Sequence, residues 1–308
     1  MSAKIKAALA AAIILWASAY VAIRAGLQEY SPEGMALLRY LIASFIMVFV
    51  YYRQPVHSQI NLADKIKLLL IGAFGIGVYS VTLNYGEVAI SSGVASFIIS
   101  QSPVLSTMLA IIFFGEKLTL KRGLGFVVSM IGVTLIAYGE IGSFTLTKSL
   151  LYLATALLAC GTYSILHKPF LKKYNAVDAT AYVIWGGTLF LTTYITKMQH
   201  DVMSASLSST LIIVYLGIFP AALAYFAWSY ALQNMSVSQT VSYMYVIPFV
   251  SAFMGWLWLN EVPTVISFMG AVVAITGVWL VNQSYQIEVD VEPDIEPEPE
   301  VTRNVIPT

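Results

Sequence analysis

Residues 97–117 read FIISQSPVLSTMLAIIFFGEK, and residues 242–262 read SYMYVIPFVSAFMGWLWLNEV. In both stretches a proline interrupts an apolar run, and a glutamate follows thirteen residues later, Pro103 to Glu116 and Pro248 to Glu261. The two prolines are 145 residues apart. At the same offset Tyr85 meets Tyr230, Gly125 meets Gly270 and Gly132 meets Gly277, and GFVVSMIGVTLIAYG matches GAVVAITGVWLVNQ in pattern. With an offset one or two residues smaller, Tyr20 falls on Tyr163 and Tyr30 on Tyr174. The chain is therefore read as two related halves, residues 1–143 and 144–284, followed by a tail, 285–308.

Composition sets the solvent of those halves. Of the 308 residues 58% are hydrophobic and 10% charged, and mean hydropathy is +0.78. Soluble domains carry about 25% charged residues, so the composition argues against a water-soluble globule. A net charge of zero offers nothing to nucleic acid. The single cysteine, Cys160, cannot form an internal disulfide and reads as a small buried residue.

A bilayer core about 30 Å thick takes roughly 20 apolar residues per helix. Ten such segments are expected, near 6–28, 34–52, 66–85, 91–114, 121–139, 148–167, 178–197, 209–231, 238–259 and 264–283. The first begins like a secretory signal, with Lys4, Lys6 and Ala17-Ser18-Ala19, but its apolar run continues to Leu27 and it is read as an uncleaved helix. The acidic, proline-rich tail cannot bury enough apolar surface to fold and is expected to be disordered. Lysine and arginine concentrate in alternate loops, which places both termini in the cytoplasm.

The expected class is thus an all-α polytopic membrane protein with ten transmembrane helices. Five spans per half is an odd number, so the second half enters the membrane from the opposite side. The halves are then inverted repeats, an architecture that recurs in secondary transporters, with substrate near the midplane. Duplication for stability alone is the alternative.

The segments LWASAYVAIRAG and SPEGMALLRYLIAS, with the junctions GEKLTLKRGLGFVVSMIGV and NEVPTVISFMGAVVAITGV, resemble the helices of EamA-type carriers in the drug/metabolite transporter superfamily. The resemblance covers about residues 5–283 and implies two inverted five-helix repeats around a central cavity. Its substrates would include amino acids, other metabolites and drugs. The second half carries Val183 near the place of Arg39, and Ala159-Cys160-Gly161-Thr162 where the first has Trp16-Ala17-Ser18-Ala19.

Among ionisable residues only Arg39 reads clearly as lying at membrane depth, roughly 9 Å along its helix from Glu33. Its guanidinium either snorkels or pairs structurally, or faces the cavity and attracts a substrate carboxylate. Glu116 and Glu261 close their spans, where they either cap the following helix or act as gates on opposite faces. Ser92, Ser96, Ser100, Pro103 and Thr107 share one helical face, which either packs against neighbours or lines a cavity with Gln101 beside it. Ser238, Gln239, Ser242, Tyr243 and Tyr245 flank Pro248 and are candidates for the opposite wall.

Trp16, Tyr20, Tyr79, Tyr163, Tyr225 and Trp228 are candidates for the cavity, by packing or by stacking on substrate. His57, His167 and His200 read as surface histidines without metal-ligand spacing. No catalytic motif, metal or cofactor is expected. The expected partners are lipid and a small-molecule substrate, with protons as an optional coupling ion and no nucleic acid. The chain is expected to be a monomer or weak dimer in a bacterial cytoplasmic (inner) membrane. Export of amino acids or related metabolites is the preferred activity; a nucleotide, cofactor or drug carrier, an intramembrane enzyme and a membrane scaffold or receptor are the alternatives.

Overall fold

The computed structural model describes residues 2–102, 104–105, 109, 120–141, 147–235, 240–241 and 243–289. Pro103, Thr107, Glu116, Ser238, Gln239, Ser242 and residues 290–308 of the tail lie outside the described residues. Among those described, every regular element is helical. Lipid offers no partner for backbone amides, so a chain this apolar must close its hydrogen bonds within helices.

The first helices are α1 (Ala3–Gly26), α2 (Pro32–Arg53), α3 (Leu62–Glu87), α4 (Ser92–Ile99) and α5 (Leu120–Ile141). They are followed by α6 (Lys148–Lys173), α7 (Ala176–Leu191), α8 (Ile195–Ser204), α9 (Leu207–Asn234), α10 (Ile247–Leu259) and α11 (Val265–Val289). Short polar connections start them. Ser2, Ser31, Asn61, Thr147, Asn175 and Ser206 each accept the amide three residues on, at 2.8–3.4 Å, which satisfies one of the orphan donors of each first turn. Pro32 follows Ser31 at the first helical position, where its missing donor costs nothing.

Five helices, α1, α2, α3, α6 and α9, are long and apolar enough to cross a membrane, and shorter apolar helices occupy Gly123–Ile136, Tyr243–Leu259 and Val265–Gly277. Large apolar side chains point outward from them, Phe45 at 74% and Trp258 at 65% exposure among many. In water such a girdle would aggregate; in lipid it is the expected surface. This is a polytopic membrane protein.

Two helices change their winding near the middle. Residues Ala73–Val78 of α3 and Gly217–Leu223 of α9 form π-helical turns, which realign the side chains before and after them and occur often at functional sites.

Glycines set the closest approaches. A Cβ on Gly72 would meet the Val183 carbonyl of α7, and one on Gly186 would meet the backbone of Leu69. Gly217 lies against Ile42 and the Arg39 carbonyl, 2.6 and 2.8 Å from where its Cβ would stand. Helices α5 and α11 meet through Gly132 on Ala274, Gly277 on Ser129 and Gly270 on Ile136. Small residues let backbones touch where no hydrophobic force separates helix from lipid.

Three expectations change. The seventh apolar segment ends at Leu191, where Thr192 and Thr193 turn their hydroxyls onto the carbonyls of Leu189 and Phe190, at 2.7 and 3.0 Å, and a 3-10 turn leads into α8. Helix α11 runs to Val289, five residues into the segment assigned to the tail. His167 is fully buried rather than a surface residue. Helix α6 continues through Pro169 to Lys173, so His167 stands inside it, its ring 5.2 Å from that of Tyr163. His57 is partly exposed and bonds Asp178 at 3.0 Å, and His200 is exposed.

Candidate functional site

Helices α1, α2, α3, α6, α9 and the start of α10 surround a narrow cavity of about 40 Å³, room for a few water molecules in this conformation. Trp16, Tyr20, Arg39, Tyr79, Tyr163, Tyr225 and Trp228 all line it. Residues separated by more than 200 positions thus share one wall. The rings touch in sequence. Trp16 lies 5.4 Å from Tyr225 edge-on and 5.0 Å from Trp228, and Tyr163 meets Tyr225 at 5.8 Å. Edge-to-face contacts of this kind fix ring orientation. The Trp16 indole also donates to the Pro220 carbonyl at 3.2 Å, so the π turn of α9 anchors a ring from α1.

Gly75, in the π turn of α3, lies against Tyr163: a Cβ there would stand 2.9 Å from the ring. Ala19, Ile23, Gly75, Leu83, Ser164, Met244 and Ile247 also line it without having been singled out in the sequence, as does Cys160, read there only as a small buried residue. Small or apolar residues carry no signal of their own; only the convergence of helices selects them.

Arg39 is 3% exposed and opens onto the cavity. Its guanidinium carbon lies 5.2 Å over the Tyr40 ring, and its Nε has no acceptor. Nε has lost hydration with no hydrogen bond in return, which leaves this face of the guanidinium with a donor to offer an anionic group.

The serine face of α4 is not on this lining. Ser96 and Ser100 turn their hydroxyls onto the carbonyls of Gly93 and Phe97, at 2.6 and 2.7 Å. Gln101 accepts from Ser129 of α5. All three are buried between helices. Pro248 is buried at the first turn of α10 rather than within a continuous helix, with Tyr243–Val246 as a 3-10 turn before it; Ile247 beside it, not Pro248 or the half-buried Tyr243, borders the cavity.

Glu261 does not cap the following helix. Helix α10 ends at Asn260 in the left-handed conformation, φ 54°, and the Glu261 amide bonds back to the Gly255 carbonyl at 3.2 Å. That reversal swings the Glu261 carboxylate onto the start of α4, where Ser92 donates its amide at 3.0 Å and its hydroxyl at 2.6 Å. The α11 amide of Ser267 is taken by Thr264 instead, at 3.1 Å. Arg24 completes the cluster. It donates Nε to Glu261 at 3.1 Å and Nη1 to the carbonyls of Glu87 and, at 2.8 Å, Val88. One guanidinium thus ties the end of α3 to the α10–α11 junction. On α6, Lys168 makes the matching contact with the end of α9: it donates to the carbonyls of Leu232, of Gln233 at 3.5 Å, and of Met235 at 2.6 Å.

Arg39 is not alone at depth. Glu87, two residues past the end of the third expected apolar segment, is fully buried one helical turn beyond the cavity residue Leu83. The Gly86 beside it lets Leu153 of α6 close over this end of α3.

The sequence profile of the EamA-like transporter family matches residues 4–138 and again residues 147–283. The chain is 37% identical over 269 residues to the uncharacterized transporter YdfC of Bacillus subtilis, covering 86% of each. It is 34% identical over 276 residues to a probable terminal-alkyne amino-acid exporter of Streptantibioticus cattleyicolor, covering 90% of this chain and 92% of that one. A probable amino-acid metabolite efflux pump of Escherichia coli is 24% identical over 280 residues, 87% and 91% of the two chains. One solved crystal structure superposes with a TM-score of 0.66 at 15% identity over 94% of this chain, a likeness of fold.

Proposed function

The chain belongs to the EamA-like transporter family, and within it we propose a secondary carrier that exports amino acids or related metabolites by alternating access between two inverted five-helix repeats. The observation that carries this reading is the cavity. Trp16, Tyr20, Arg39 and Tyr79 come from residues 1–143, and Tyr163, Tyr225 and Trp228 from residues 144–284. A site shared by two halves can face either side when the halves rock.

Pairs of contacts support the repeat, because each recurs at an offset of 144 or 145 residues. Arg24 on the Glu87 and Val88 carbonyls corresponds to Lys168 on those of Leu232 and Gln233. Gly72 against Val183 corresponds to Gly217 against Arg39, and Gly132 against Ala274 to Gly277 against Ser129. The family profile also matches twice.

In the cycle we infer, Arg39 takes the substrate carboxylate while the aromatic walls take its side chain, and the Arg24–Glu261 pair closes one face. The names of two relatives, an amino-acid exporter and an amino-acid metabolite efflux pump, favour this cargo and direction. Ten spans, a bacterial cytoplasmic membrane, cytoplasmic termini and a monomer or weak dimer belong to the same proposal, with the tail outside the transport machinery.

Counterflow in liposomes tests it, using the purified full chain and labelled aromatic and small neutral amino acids. Accumulation against unlabelled internal amino acid is expected. Silence across the panel from folded protein rejects the amino-acid reading and turns the search to nucleotides, cofactors and drugs. A chain ending at Val289 is expected to transport as the full one does; loss of transport would favour a scaffold role for the tail.

A further inference from the structure

Glu87 is fully buried, and neither of its carboxyl oxygens has a hydrogen-bond partner. It stands between the cavity, which ends one turn away at Leu83, and the Arg24–Glu261 pair that ties this end of α3 to the α10–α11 junction. Three charged groups act on it: Glu261, Arg24 and Arg39.

Each neighbouring element can be taken in turn. From α1 come Tyr20 and Arg24, and Arg24 uses its donors on Glu261 and on the backbone carbonyls of Glu87 and Val88. From α2 come Arg39, whose Nε bonds nothing, and Glu33, whose carboxylate is held by Tyr85 and Lys197. Helix α6 brings Tyr152, stacked on Tyr85 at 4.8 Å, and the exposed Lys148 in its first turn. Helix α4 brings Ser92, whose amide and hydroxyl both go to Glu261.

No side chain here donates to Glu87. The two arginines lower the cost of a charge without supplying the hydrogen bonds that an ionised carboxylate requires, and the Glu261 carboxylate opposes them. An ionised, unbonded carboxylate in an interior is among the most expensive arrangements a protein can hold, whereas the neutral acid needs far less. Proton relays are among the roles that buried acids in membrane proteins take for this reason.

We propose that Glu87 is a proton-binding site: it carries a proton while the face bearing Arg24 and Glu261 is closed, and loss of that proton opens the face. The link is Arg24. An anionic Glu87 repels the Glu261 carboxylate and draws the guanidinium that joins α3 to Glu261. It also demands water that only an open face admits. The proton passes to and from the aqueous medium on that side, and Glu87 alternates between carboxylic acid and carboxylate. Acidity on this face therefore favours closure, and alkalinity favours opening. The consequence for rate rests on the transport reading; the proton site itself does not.

Infrared difference spectroscopy of the full chain in liposomes, titrated across neutral pH, reads the acid directly. The carbonyl stretch of a protonated carboxyl is expected in the wild type at neutral pH, absent in the isosteric Glu87→Gln, and restored at a shifted frequency in Glu87→Asp. Identical spectra for wild type and Glu87→Gln would overturn the proposal, because Glu87 would then be ionised throughout. Counterflow of labelled L-phenylalanine and L-threonine, with equal pH on both sides, tests the link to opening. The wild-type rate is expected to rise with pH, and Glu87→Gln to keep transport but lose this dependence. A variant with the wild-type pH profile would overturn the link. If the wild type moves neither probe, the amino-acid reading fails, while the infrared result still decides the proton site.

Discussion

Arg39 brings a charge to the cavity lining, a cation with an aromatic neighbour and an Nε without an acceptor. Hydrogen bonds to charged groups contribute about 1.5–3 kcal/mol, so Arg39→Ala should slow counterflow of carboxylate substrates by roughly ten- to one-hundred-fold. Neutral analogues of the same side chain should lose much less. Equal loss for both classes would leave Arg39 a purely structural part. The sequence exposed Arg39, because a charge within an apolar run stands out. Glu87 and His167 did not stand out, since each lies where an apolar segment was expected to end. Their burial depends on Gly86 admitting Leu153 and on α6 running on to Lys173.

At the scale of elements, the α10–α11 junction turns on one dihedral. Asn260 holds φ 54°, a region that costs most L residues about 1–2 kcal/mol and glycine nothing. Asn260→Gly should leave thermal stability in detergent nearly unchanged. Asn260→Val should lower it by about 1–2 kcal/mol and loosen the Glu261–Ser92 contact. Comparable melting of the two variants would mean that the turn is not strained. Glycines give a second test on helix α5. A Cβ on Gly132 would collide with the Ala274 backbone of α11, while Gly123 has nothing within 4 Å. Gly132→Ala should therefore destabilise by about 1–3 kcal/mol, and Gly123→Ala should stabilise by about 0.5–1 kcal/mol. Equal shifts would show that α5 and α11 do not pack through Gly132. The sequence pointed to Gly132 and Gly277 by their 145-residue spacing. It could not say that they meet across one interface.

For the whole molecule, alternating access requires the face held by Arg24 and Glu261 to separate once per cycle. Joining those positions with a short thiol-reactive cross-linker, in a chain carrying Arg24→Cys, Glu261→Cys and Cys160→Ala, should stop counterflow. Cleaving the linker should restore it. Transport that persists in the fully cross-linked protein would mean that this face does not open. Cys160 is replaced because it lines the cavity and would itself react.

Composition and spacing alone determined the solvent, the helical class and the doubled pattern, because apolar run length and periodic recurrence are properties of the chain that need no neighbours. They also picked out the aromatic and arginine side chains that line the cavity, since large or charged residues in such runs are few. Only the tertiary structure decided which polar groups lack partners, where the small lining residues fall, and that Glu261 serves the start of α4. Those outcomes depend on which helices approach one another and how closely. Glycine contacts, two π turns and one left-handed asparagine set that approach, and each acts through neighbours distant in sequence.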